Sequence, residues 1–120
     1  MGDWEFHRPK ETGDIELHVL ATRMPDWRYT MLLMIHELVE AVLCYGAGVT
    51  TEAVDRFDLD FIASHPNQEP GDDPRAPYHS QHRTASIVEQ LVAKELGVDW
   101  IEYDNAVEDV RAGRDFLNTA

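Results

Sequence analysis

Polar and apolar positions alternate over residues 3–8, DWEFHR, and again over 14–19, DIELHV, where Ile15, Leu17 and Val19 share one side. Between them lies the turn-forming cluster PKETG. Two alternating runs joined by such a loop predict a β-hairpin. A short helix over Asp14 to Thr22 is the competing reading. In the hairpin, His7 and His18 fall on the polar side and face solvent.

From Met31 to Cys44 the pattern changes. The stretch is apolar apart from His36, Glu37 and Glu40, and neither Pro nor Gly interrupts it. Met24-Pro25 breaks the chain just before, Asp26 stands where an N-cap belongs, and Gly46-Ala47-Gly48 offers a left-handed stop. Asp26 to Tyr45 therefore reads as a buried helix. Thr50 or Thr51 caps a second helix running to about Ser64, with Val54, Phe57, Phe61 and Ile62 inward and Asp55 and Asp58 beside that face. Residues 65–78, HPNQEPGDDPRAPY, carry four prolines and a Gly-Asp-Asp, which exclude helix and central strand. A stiff loop of this length in a small domain suits a wall or lid over a site, or a plain surface connection.

A third helix is expected from Tyr78 to Leu96, ending at Gly97, with Ala85, Val88, Val92 and Leu96 inward and His82 and Glu89 on the border of that arc. His79 lies one turn before His82. Asp99 with Glu102 forms a capping-box-like start for a last helix that turns Trp100, Tyr103, Val107 and Val110 inward. The expected architecture is α+β: an N-terminal hairpin, a buried active-site helix and two or three packing helices. Residues 1–112 form a single metal-binding domain, and 113–120 read as a frayed tail.

Composition narrows the function classes. Ten basic against 23 acidic residues give a formal charge of -13, which argues against nucleic acid or an anionic membrane as partner. The lone Cys44 cannot form an internal disulfide, which together with the lack of a secretory signal pattern points to the cytoplasm. The apolar run of the first helix is too interrupted by charge to span a bilayer.

The chemistry follows from His36, Glu37 and Glu40. On a helix these fall within a roughly 100° arc. Burying ionisable groups on an otherwise apolar helix is costly unless something pairs with them, and a divalent metal is one such partner. His36 and Glu40 are one turn apart and reach a single ion. His82 is the first choice for a third ligand, with Glu89 or His79 behind it. Two nitrogens and a carboxylate suit zinc, with iron or manganese as alternatives. Glu37 points to the side of the ion, as a general base would. Asp58 and Glu89 are candidates to orient the imidazoles. The plain alternative is a core histidine hydrogen-bonded to Glu40.

The segment IELHVL…YTMLLMIHELVEAVL resembles the strand, connection and active-site helix of zincin-like metallopeptidases, over about residues 14–45. There, L-x-x-H-E-L-x-H-A carries two metal ligands and the base. The resemblance implies His36 as first ligand, Glu37 as the base activating metal-bound water, and a hydrolase acting on peptides; Glu40 replaces the second His. HELVE is also similar to the H-D-x-x-E of HD-type phosphohydrolases, which need an earlier His such as His7 or His18. Glu37, Glu40, Glu52 and Asp55 resemble the pattern of MazG-type nucleotide pyrophosphohydrolases, where Arg75 and Arg83 would contact phosphate. A non-enzymatic acidic interaction protein, with a structural metal or none, is the remaining alternative.

Overall fold

In the computed structural model, which describes residues 1–113, the N-terminal alternation closes into an antiparallel pair, β1 (Gly2–His7) with β2 (Glu16–Ala21). Trp4 pairs with Val19 and Phe6 with Leu17, and these four form the inner face. The register excludes a helix over Asp14 to Thr22. It also shifts both strands from the expected 3–8 and 14–19, so Ile15 drops into the loop at 46% exposure. His7 and His18 lie on the outer face, their rings 4.3 Å apart.

Four helices follow: α1 (Trp27–Ala47), α2 (Thr51–Ser64), α3 (His79–Glu95) and α4 (Trp100–Arg111). The fold is thus α+β, a hairpin followed by helices, as the pattern implies. The caps explain the boundaries. Asp26 accepts from the Arg28 N–H, Thr50 from Ala53 and Asp99 from Glu102, each satisfying an otherwise orphaned first-turn donor. Gly48, at φ 74°, closes α1 by donating to the Cys44 and Tyr45 carbonyls, a conformation that costs glycine nothing. Arg28 binds Asp26 and reaches 3.2 Å to the Leu96 carbonyl, tying the start of α1 to the end of α3.

The helix α1 is the spine. Its inner side packs on α3 and on both strands. Small residues at the contact, Ala41, Ala85 and Ala93, are almost wholly buried and let helices approach closely. The apolar core is in two parts. Leu32 and Leu33 belong with Met24, Ala93, Tyr103 and Val107; Ala41 and Cys44 belong with Trp4, Val54, Ala76 and Tyr78. Between these two groups along α1 come His36 and Glu40, so a polar layer divides the core.

The expectation of a buried helix over Asp26 to Tyr45 holds for one side only. Met31, Leu38 and Val42 are more than 40% exposed. By length and composition α1 could cross a membrane, although 33% of its most apolar stretch is buried within the fold. On α2, Ile62 is likewise exposed rather than inward. The proline-rich segment holds a short 3-10 turn, Pro70–Asp72, which packs against α2 and α3. Of the tail expected at 113–120, all beyond Gly113 lies outside the described residues.

Candidate metal centre

A single turn of α1 brings His36 and Glu40 to the same side, and α3 places His82 opposite them. Three atoms converge: His36 Nε2 is 3.2 Å from Glu40 Oε2, His82 Nδ1 is 3.0 Å from the same oxygen, and the two ring nitrogens are 3.1 Å apart. All three residues are buried. Protons pair both imidazoles with Glu40 but leave one poor contact, between the two facing ring nitrogens. If both nitrogens carry hydrogen, two donors share one oxygen and face each other. A shared cation removes the conflict, and two nitrogens with one carboxylate oxygen suit zinc, iron or manganese.

The far atom of each residue is held as well. His36 Nδ1 lies 2.8 Å from Glu89 Oε1, and the other Glu89 oxygen accepts from the Tyr103 hydroxyl. His82 Nε2 lies 3.1 Å from Asp72 Oδ1, and the Trp4 indole N–H donates to Glu40 Oε1 at 3.1 Å. Four elements, β1, α3, α4 and the proline-rich loop, therefore fix the orientation of three side chains. Partners of this kind set the tautomer and aim of metal-binding histidines.

His36, Glu40 and His82 meet. Glu89, expected among the ligands, instead holds the outward nitrogen of His36, the orienting place also considered for it. Both sit on the same α3 arc, but Glu89 is two turns beyond His82 and reaches past the convergence point. His79 turns to the Gly71 carbonyl at 2.9 Å. Asp58 accepts from the Tyr78 hydroxyl and Asp55 is exposed, so neither reaches the three atoms. The outer-face positions of His7 and His18 leave them away from it too.

Three of these partners, Trp4, Asp72 and Tyr103, lie outside the expected site residues. Tyr103 carried a signal, since a buried tyrosine hydroxyl needs a partner. The Gly-Asp-Asp within the loop was another. Gly71 is required by packing: a Cβ there would lie 2.5 Å from Cγ and Nδ1 of the pinned His82 ring. Gly71→Ala is expected to displace the ring, weakening metal affinity about 10–100-fold and lowering stability by about 1–3 kcal/mol. Zinc titration and thermal melts of the variant check this; unchanged affinity would contradict it.

The electrostatics are those of alternating charge. Burial alone would depress His36, but the carboxylates of Glu40 and Glu89 outweigh it and lift the imidazole to about 10. His82, opposed by burial and supported by Asp72 and Glu40, rises to about 9. Burial would raise Glu40, yet hydrogen bonds from His36, His82 and Trp4 pull it to about 2. Glu37 differs. Burial and the Glu40 charge push it up to about 8. Its side chain lies against Gly2 and lines a cleft of about 130 Å³ that also reaches His36 and His82. Glu69, Asp72, Asp104 and Glu108 line the same cleft, together with Arg111 and Met1, whose amino group lies close enough to Glu37 to oppose its rise. Arg111 is already paired with Glu69 and Glu108, while Arg75 and Arg83 do not line the cleft.

Comparison with protein-family models, with curated proteins and with solved structures finds no match to this chain.

Proposed function

We propose that this protein is a mononuclear metal-dependent hydrolase in which His36, Glu40 and His82 hold one divalent cation, zinc before iron or manganese. The convergence of three buried donor atoms, each held from behind by a separate partner, carries this reading. A cation so bound supplies Lewis acidity and makes water a better nucleophile near neutral pH.

The chain's own residues do the rest. Glu89 and Asp72 keep the imidazoles aimed inward, and Trp4 keeps Glu40 from turning away. Glu37, beside the cluster in the cleft, takes a proton from water and returns it to the leaving group. A cation in the neighbouring site favours its ionised form. The cleft favours a neutral or cationic carbonyl substrate, such as a peptide or other amide, over a phosphate ester. Its carboxylates repel a polyanion, and its arginine is already paired. For that reason we put the nucleotide phosphohydrolase reading second.

The metal must displace protons from His36 and His82, so affinity should rise with pH. The sign is reinforced by the metal-free state. Both imidazoles are raised above 6.5, so their stabilising contribution is complete below that pH and fades as pH climbs through about 9 and 10. The gain in melting temperature on adding zinc is therefore expected to be small at pH 6 and large at pH 8.5. Thermal melts with and without zinc across that range test it; a gain that shrinks with rising pH would count against these three residues as ligands.

A further inference from the structure

We propose that the outer face of α1 is a homodimer interface, joining two copies of this chain about a twofold axis near Leu38. This inference does not depend on the metal or on catalysis. It starts from spacing. Met31, Ile35, Leu38, Val42 and Tyr45 follow one another at intervals of 4, 3, 4 and 3 residues. That is the repeat of a seam between paired helices. The seam lies opposite the face that carries His36 and Glu40. Met31, Leu38, Val42 and Tyr45 are 41%, 45%, 53% and 51% exposed, and Ile35 is partly so.

Charge supports a second copy as the occupant. The chain carries -13, which opposes association of its surfaces in general. Along this seam α1 itself contributes no ionisable side chain except the Tyr45 phenol, which accepts from Arg8 at 2.9 Å and packs its ring on Phe6 at the seam's end, because His36, Glu37 and Glu40 all turn towards the fold or its cleft. A bilayer surface fits less well. Interfacial helices flank their apolar face with Lys and Arg, whereas the lone basic residue of α1, Arg28, is bound to Asp26.

The area is adequate. Five half-exposed side chains offer on the order of 80–100 Å² each, or roughly 400–500 Å² per chain, the apolar centre of an interface that needs ~800 Å² per partner with its polar rim. An isologous contact centred on the seam brings Leu38 against Leu38 of the second copy.

Sedimentation of the full chain tests this. The wild type is expected at twice the 13.7 kDa chain mass over about 10–200 µM, a typical range for a standard-size interface. The double variant Leu38→Glu, Val42→Glu is expected at the monomer mass with unchanged helical circular dichroism, because both side chains already face solvent. Leu38→Cys should cross-link under mild oxidation, while Leu59→Cys, on the exposed side of α2, should not. Four results would overturn the proposal: a monomeric wild type, a dimer that survives the double variant, a dimer in which Leu38→Cys fails to cross-link, or a monomer that binds phosphatidylcholine vesicles through α1.

Discussion

Glu40→Ala is expected to destabilise the metal-free protein by about 3–5 kcal/mol, the usual cost of removing one member of a buried charge cluster, and to abolish metal binding. Glu40 is the anion between two imidazoles whose facing nitrogens are 3.1 Å apart. Without it, those rings either repel each other or give up their protons, and the buried Trp4 indole N–H loses its acceptor at a cost of about 1–3 kcal/mol. For a domain this size the change is a fall of roughly 10–20 °C in melting temperature. Glu40→Gln keeps the shape and one acceptor for Trp4, so it should recover part of the stability but not the metal affinity. Melting curves and zinc titrations of both variants would show this ordering. Equal stabilities of wild type and Glu40→Ala would mean that the cluster is not held as described.

Glu37→Gln is expected to behave in the opposite way: turnover of any amide or ester substrate falls about 10²–10⁴-fold while metal content is unchanged. Glu37 contributes no atom to the convergence point, so its loss spares binding. Its stability effect has a definite sign. Burial and the charge on Glu40 raise it from 4.5 to about 8. A carboxyl raised in this way contributes stability below pH 4.5 that is lost as pH climbs through 8. The metal-free Glu37→Gln variant should therefore melt at or above the wild-type temperature at pH 9. A carboxyl held neutral by burial and a like charge in a cleft is the kind of shifted group that clusters at functional sites. Loss of metal together with loss of stability would instead make Glu37 part of the scaffold.

The legible parts of this molecule are local in the chain. Each helix start is marked by a residue bonding to the backbone two or three positions on, except at α3, where Tyr78 makes no side-chain cap. His36 and Glu40 stand out because charge interrupts an apolar run. His82 could be reached from the border of one helical arc. What stayed hidden is non-local. The contact of Trp4 with Glu40 spans 36 positions and that of His36 with Glu89 spans 53. Helical periodicity places His82 and Glu89 on one face but cannot say which of them meets Glu40. The packing of α3 across α1 decides that.

Asp72 depends on how a proline-rich loop turns back on α3, and Gly71 on how closely it then passes the His82 ring. The outer seam of α1 was hidden for a different reason. An apolar run reads as buried wherever it occurs, and only the packing reveals which side is left largely exposed among the described residues.

The most direct test of the metal centre is elemental analysis of protein purified without chelator or metal-affinity resin, on wild type, His82→Ala and Asp55→Ala. About one equivalent of zinc, iron or manganese is expected in the wild type and in Asp55→Ala, and none in His82→Ala, as a single site built on His82 requires. A wild type that holds no metal and gains no stability from added zinc or manganese would contradict the account. It would leave His36, Glu40 and His82 as a hydrogen-bonded polar layer of the core. Metal retained in His82→Ala but lost in Asp55→Ala would place the ion elsewhere and favour the nucleotide phosphohydrolase reading.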